Sequence, residues 1–185
     1  MMISSIFWGF AVPAQAKESV PALSTFISLV KDGNASVLRG VYVRGAMASP
    51  IVQQPGGYAG FVSTDRQVVT QFSMAADVGN VGLLAHNYLA GINFSQLFRG
   101  QKVNLVYGDG RVESFVITQL LRYQALDPYS TRSDFRNLDT GISISADELF
   151  GQVYRGDRHV TFQTCIEANG NSSWGRLFII AQPEK

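Results

Sequence analysis

From residue 36 onwards, the sequence is a succession of short β-rich runs separated by glycine and proline turns. Residues 36–45 form one such run, residues 49–63 interleave turns with short apolar pieces, and residues 81–87 form a strand ending near His86. Many short strands with turns and few helical segments are typical of a closed or nearly closed β-barrel. We therefore expect an all-β fold of about seven or eight strands with small helices.

The clearest local element is a hairpin in the middle of the chain. Residues 102–107 and 111–118 are two extended runs joined by Gly108-Asp109-Gly110, whose glycines supply the positive φ of a tight turn. No helical pattern follows the turn, so it does not predict a phosphate-binding loop.

The next segment, residues 121–138, is polar and aromatic. We expect it to be a long connection of the kind that carries function or covers a site. Tyr123 and Tyr129 are its candidate substrate-groove residues, because aromatic side chains on loops often line binding grooves.

Two helices are predicted outside the strands. Over residues 20–31 apolar side chains recur at helical spacing, with Pro21 near the start and Gly33 just past the end. Ser145 begins a second helix that extends to about residue 150, and Glu148 stands where a capping box requires it.

The first sixteen residues have a different character. An apolar run followed by Ala14-Gln15-Ala16 is typical of a secretory signal peptide, or of the remnant of a longer anchor, and is too short to span a bilayer. The expected organisation is therefore a leader over 1–16, an N-terminal amphipathic helix within 17–35, and a folded domain over 36–185. An exported, extracytoplasmic protein is the expected product.

Length and charge limit the classes of partner. A chain of 185 residues fits one domain with a proper core. Its net charge of +1 comes from 15 basic and 14 acidic side chains that are scattered along the sequence. Neither nucleic acid nor an anionic membrane surface is an expected partner, since both attract clustered positive charge.

Cys165 is the only cysteine. It cannot form an internal disulfide, so it is inert and buried, part of an intermolecular bridge, or a reactive thiol.

The neighbours of Cys165 favour the reactive thiol. Residues 159–165 and 176–181 are predicted to be the last two strands, antiparallel and joined by the loop 166–175. Cys165 and Arg176 would then face each other across the pair, with Cβ atoms about 4.5 to 5.5 Å apart. A guanidinium in that position can stabilise a thiolate, or donate to an oxyanion that develops on a bound carbonyl group.

Acyl transfer by a thiol also requires a proton acceptor or an imidazolium partner. The chain has two histidines. His159 lies six residues before Cys165, about 20 Å away along one extended strand, and is expected to be structural or at a rim. The candidate partner is therefore His86.

The order of these residues resembles the sortase family of cysteine transpeptidases. The family's Thr-x-x-Thr-Cys element is matched by residues 161–165, with Phe162 in the usual leucine position. The family's histidine segment is matched by residues 83–107, and its arginine by Arg176 at the start of the last strand. The resemblance extends over about residues 36–181, and one departure is Asn87, where many sortases have arginine.

The resemblance implies a closed eight-stranded sortase-like β-barrel and a catalytic domain over 36–185. It implies that Cys165 attacks a threonyl-glycine type bond in a C-terminal sorting signal, that His86 handles the protons of the amines, and that Arg176 holds the oxyanion. Thr164 would add a donor beside the cysteine and Thr161 would support the strand, while Trp174 is a plausible groove residue.

The implied partners are proteins that bear a sorting signal and an amine acceptor on the cell surface. No cofactor or metal is demanded. Although some sortases bind calcium, no oxygen-ligand loop is recognisable in this sequence. Two alternatives remain open: a secreted peptidase that discharges the acyl-enzyme to water, and a non-catalytic binding module that keeps the barrel.

Overall fold

A computed structural model describes residues 20–184 of the chain. The predicted leader over 1–16 lies outside the described residues. The helices are α1 (Leu23–Val30), α2 (Ser73–Asp77) and α3 (Ala146–Tyr154). The strands are β1 (Leu38–Val43), β2 (Met47–Gln53), β3 (Val69–Phe72), β4 (Val81–Leu84), β5 (Lys102–Tyr107), β6 (Val112–Ala125), β7 (Phe135–Asn137), β8 (Ser143–Ile144), β9 (Val160–Ala168) and β10 (Asn171–Pro183).

Eight of these strands close into a barrel. Their order is β10-β9-β4-β3-β2-β1-β5-β6, and pairing of β6 with β10 joins the two ends of the sheet. The short strands β7 and β8 extend the sheet from β6. Two neighbouring pairs are parallel, β2 with β3 and β4 with β9, and the others are antiparallel. The predicted all-β, closed eight-stranded architecture is confirmed.

Successive side chains along each strand point alternately into the barrel and out from its outer face. On β9, Val160 and Phe162 lie in the main core cluster, and on β10 Leu177 and Ile179 do the same. Side chains of opposite parity therefore point outwards. Phe178 is one of these, and it packs in a second cluster between the barrel wall and α3.

The strand after the central hairpin is longer than the sequence predicted. β6 continues to Ala125, so its last five residues lie in what was expected to be a connection. Pairing with β10, up to Gly175 opposite Gln124, holds this part extended. Tyr123 was wrongly expected in a substrate groove: it is 1% exposed, and its hydroxyl donates to Gln152 of α3.

The last hairpin also differs from the prediction. The expected loop over 166–175 is a two-residue turn at Asn169 and Gly170, whose φ values of 53° and 73° match an Asn-Gly hairpin turn. The strands therefore extend almost to the turn. Between Asn171 and Gly175 the pairing is interrupted, because three residues of β10 stand opposite one residue of β9. We call residues 172–174 the β10 bulge.

Two helices brace the outside of the barrel. The ring of Phe26 in α1 packs on β1 against Gly40, where a Cβ atom would lie 2.7 Å from the ring. The start of α3 has the predicted capping box, with Ser145 and Glu148 exchanging hydrogen bonds. Over the described part of the chain, no helix combines the length and apolar character needed to cross a bilayer.

Candidate active site

The candidate site lies on the outer face of the barrel, near the end where β9 and β10 meet their hairpin turn. Cys165 and Arg176 are direct partners in the antiparallel pairing of these strands. Residues opposed in this way point to the same face. Both side chains are half-buried, so Cys165 and Arg176 lie side by side on this face.

His86 reaches the same place from the other side of β9. The parallel pairing of β4 with β9 aligns Leu84 with Gln163, and the amide of Ala85 still donates to Gln163 O at 3.3 Å. Continuing this register by two residues would set His86 opposite Cys165, on a path about 4.8 Å away. Ala85 lies in the core cluster, so the next side chain, that of His86, faces outwards.

The main chain at His86 is held from inside the barrel. Thr164 donates its hydroxyl to Ala85 O at 2.8 Å. The carbonyl oxygen of His86 accepts hydrogen bonds from the amides of Leu89 and Gly91, both at 3.0 Å. A Cβ atom on Gly91 would lie 2.6 Å from that same oxygen and would also collide with the Thr164 hydroxyl. The turn after His86 therefore packs tightly against β9.

The arginine is oriented by the β10 bulge. Its Nη1 donates to Ser173 O and to Gly175 O, both at 2.9 Å. The bulge is in turn tied to the histidine segment, because Asn87 Nδ2 donates to Ser172 O at 3.1 Å. Asn87 thus links the segments that carry His86 and Arg176.

The other predicted residues have distinct placements. Thr161 is buried on the outer face and donates to Val153 O at 2.5 Å, which fastens β9 to the end of α3. Thr164 faces the interior, on the opposite side of β9 from Cys165, so its hydroxyl supports the strands rather than serving as a donor beside the sulfur. Trp174 is half-buried within the β10 bulge. Tyr129 is 85% exposed in the connection after β6.

His159 is structural, as the sequence predicted. It is 4% exposed, and its ring nitrogens lie 2.7 Å from Asp157 O and 3.0 Å from Val153 O. Its backbone amide donates to the buried side chain of Asn80. The residue locks the start of β9 to the end of α3, far along the strand from Cys165.

A separate charged cluster lies near the other end of the barrel. Arg158 donates to both carboxylate oxygens of Glu113, at 2.8 and 3.2 Å, and Tyr107 donates to the same carboxylate at 2.8 Å. Burial alone would raise the pKa of Glu113, but the hydrogen bonds from Arg158 and Tyr107 and the positive charge of Arg158 outweigh it and hold that pKa below its usual value. Burial, reinforced by the neighbouring carboxylate, raises the pKa of Tyr107.

Sequence reasoning missed three neighbours of His86: Asn87 as a link to the β10 bulge, Tyr88, whose ring stacks on the imidazole, and Gly91. Asn87 was noted only as a departure from the sortase pattern. Among residues 20–184, no three side chains of His, Cys, Asp or Glu are grouped closely enough to hold a metal ion.

Comparison with known proteins gives a clear result for the fold. No protein-family model matches the chain, and its sequence matches no curated protein. Sortase A from Listeria monocytogenes is similar in structure, with a TM-score of 0.51 at 12% identity over 83% of this chain and 89% of its own.

Two further structures agree. A sortase D5 transpeptidase from Clostridium perfringens has a TM-score of 0.51 at 13% identity, over 88% of this chain and 87% of its own. Sortase C-1 from Actinomyces oris has a TM-score of 0.52 at 13% identity, over 92% of this chain and 85% of its own. The chain therefore has the sortase fold.

Proposed function

We propose that this sortase-fold chain is a cysteine transpeptidase of the sortase type, with Cys165 as the nucleophile, His86 as the acid and base, and Arg176 as the oxyanion donor. The observation that supports the proposal is that Cys165 and Arg176 are paired across β9 and β10, and that β4, which leads into His86, pairs with the other edge of β9. A thiol, an imidazole and a fixed guanidinium are the groups that acyl transfer through a thioester requires.

In the first half of the reaction, Cys165 acts as a thiolate beside a protonated His86, and its Sγ attacks the carbonyl carbon of a peptide bond in the substrate. The carbonyl oxygen becomes an anion, which accepts hydrogen bonds from Arg176. Collapse of this intermediate breaks the C–N bond, and His86 gives a proton to the departing amine. The products are a thioester on Cys165 and a free peptide amine.

In the second half, an acceptor amine attacks the thioester. His86 takes the proton that this amine loses, the C–S bond breaks, and a new amide is released with the thiolate of Cys165 restored. No oxidant, reductant or cofactor enters this balance. The proposed substrates are proteins with a C-terminal sorting signal, the proposed acceptor is an amine on the cell surface, and the proposed site of action is extracytoplasmic.

The arrangement of Arg176 supports this role. Only Nη1 is committed to carbonyl oxygens of the β10 bulge. Within residues 20–184, its Nε and Nη2 make no other hydrogen bond, so these donors are free for a substrate oxygen. Because hydrogen bonds to Ser173 O and Gly175 O hold Nη1, the guanidinium needs little reorganisation when the oxyanion forms.

The test is a product analysis with a peptide library. Pentapeptides of the form Xaa-Xaa-Xaa-Thr-Gly are incubated with the full chain, with and without glycine amide as an acceptor, and the products are identified by mass spectrometry. Transpeptidation predicts a ligated product whose yield rises with the acceptor. If only hydrolysed peptide forms, the protein is a peptidase and not a transpeptidase. If no peptide is turned over, a non-catalytic binding module is favoured.

A further inference from the structure

Among residues 20–184, the imidazole of His86 has one ring contact, with Tyr88. Its main chain is fixed by the hydrogen bonds of Leu89 and Gly91. The ring itself is held differently: within residues 20–184, neither of its nitrogens makes a hydrogen bond. In the same part of the chain, both ring nitrogens of His159 face carbonyl oxygens. The orientation of the His86 ring must therefore come from packing.

Tyr88 supplies that packing. Its ring stacks on the imidazole, with centroids 5.3 Å apart and planes inclined by 23°. Offset stacking at this separation is a favourable arrangement of aromatic rings. Tyr88 is 62% exposed, so its body is not needed to fill the core. An exposed aromatic side chain that covers one face of a candidate catalytic histidine is best explained by that contact.

We infer that Tyr88 is a positioning residue, which acts by holding the His86 imidazole in the orientation that serves Cys165 and the departing amine. The inference rests on the proposed function. A free imidazole at the end of β4 would sample several rotamers, and only a part of them would place a ring nitrogen at the reacting atoms. Stacking on Tyr88 reduces the number of rotamers that the imidazole samples. The hydroxyl of Tyr88 is not required for this stacking.

The aromatic ring, not the hydroxyl, is therefore the decisive feature. Tyr88→Phe keeps the stack and should behave as wild type. Tyr88→Ala removes it, and the rate of acyl-enzyme formation at saturating peptide should fall about threefold to tenfold, as expected for loss of one ring pair. The peptide concentration that gives half the maximal rate should not change, because Tyr88 is inferred to act on His86 and not on the substrate.

Tyr58 provides a matched control. It is 59% exposed and its ring packs against Phe61 instead of an imidazole. Tyr58→Ala removes a similar exposed ring and should leave acylation unchanged. The chain has only two histidines, so NMR of histidine-labelled protein gives one imidazole signal from His86 and an internal reference from His159.

The experiment combines the two readouts, with the pentapeptide selected from the library as substrate. The ring-current shift of the His86 signal should be present in wild type and in Tyr88→Phe, and lost in Tyr88→Ala together with the drop in rate. If the shift is absent in wild type, if Tyr88→Ala acylates at the wild-type rate, or if only its peptide requirement rises, the inference is overturned. If Cys165→Ala still turns over the peptide, the proposed function itself is wrong and the inference falls with it.

Discussion

Cys165 and Arg176 are direct partners in the antiparallel pairing of β9 with β10, on the outer face of the barrel. The two residues lie side by side on adjacent strands, and hydrogen bonds from Nη1 to Ser173 O and Gly175 O hold the guanidinium. The parallel pairing of β4 with β9 directs the segment that carries His86 toward the other edge of β9. The three residues thus lie on three neighbouring strand paths, and the proposed role of each can be tested separately.

The role of Arg176 predicts a large loss of rate on its removal. Arg176→Ala should slow acyl-enzyme formation by about 10²- to 10³-fold, the loss typical when one oxyanion donor is deleted. Arg176→Lys should lie between this variant and wild type, because an ammonium keeps the charge but lacks the planar fork. Single-turnover kinetics with the selected pentapeptide measure both.

Arg122 offers the control for that measurement. It is an exposed arginine on the adjacent strand β6, paired with Asp139. Arg122→Ala should acylate at the wild-type rate. An equal loss in the two alanine variants would show a general effect of charge and would contradict the assignment of Arg176.

Asn87 is predicted to couple the histidine and arginine segments. Asn87→Ala removes the hydrogen bond to Ser172 O, and acylation should slow about threefold to tenfold, in line with the net value of one hydrogen bond. Asn87→Asp replaces the donor with a carboxylate that faces the carbonyl, so its loss should be at least as large. The control is Asn93→Ala on the same loop, where the side chain makes no cap hydrogen bond.

The thermal midpoints of these variants show whether a slower acylation rate comes from the lost link between the two segments or from a less stable fold. The hydrogen bond of Asn87 is exposed, so its loss should leave the midpoint nearly unchanged. A wild-type acylation rate in Asn87→Ala would show that Asn87 does not couple the segments of His86 and Arg176.

Gly91 and Gly151 form a contrasting pair. Gly91→Ala places a methyl group against His86 O and the Thr164 hydroxyl, and should lower the free energy of unfolding by about 1–3 kcal/mol, as overpacking does. Gly151 lies within α3 with no atom near its added Cβ. Gly151→Ala should raise the same quantity by about 0.5–1 kcal/mol through better helix propensity.

Urea unfolding measures both changes in the free energy of unfolding, and the acylation rate distinguishes the two glycine positions. Gly91→Ala should also slow acylation because it displaces the main chain of His86, whereas Gly151→Ala should not. Unchanged stability and acylation rate in Gly91→Ala would show that the turn can accommodate a methyl group at this position, and would contradict the close packing described above.

Glu113 predicts a dependence of stability on pH. The folded-state pKa of this carboxyl is held below its ordinary value of 4.5, so its ionised form stabilises the fold above that pH. This contribution is lost as the pH falls below 4.5 through the folded-state pKa. The difference in unfolding free energy between wild type and Glu113→Gln should therefore be largest near neutral pH and shrink on acidification. A difference that grows on acidification would contradict the pairing with Arg158.

Much of the fold could be predicted from the sequence because its signals are local. Regularly spaced turns and β-rich runs indicate a barrel, and the capping box at Ser145 and Glu148 fixes where α3 begins. The juxtaposition of Cys165 and Arg176 followed from assuming one antiparallel hairpin. That assumption was correct although the expected loop was not.

The features that escaped prediction depend on long-range contacts. The end of β6 contains polar residues such as Gln124, and it is a strand because β10 and β7 pair with it. The link from Asn87 to Ser172 spans 85 residues, and it depends on a bulge that has no sequence signal. Tyr88 is one of several exposed aromatic residues, and nothing in its local sequence distinguishes it from Tyr58.

The most direct test of the central claim is intact-protein mass spectrometry after rapid quenching of the full chain with the selected pentapeptide. Thioester formation at Cys165 predicts a mass increase equal to the acyl part of the peptide, mapped to Cys165 and released by hydroxylamine. This adduct should be absent in Cys165→Ala and should form far more slowly in His86→Ala and Arg176→Ala. An adduct on another residue, or peptide turnover by Cys165→Ala at the wild-type rate, would contradict it.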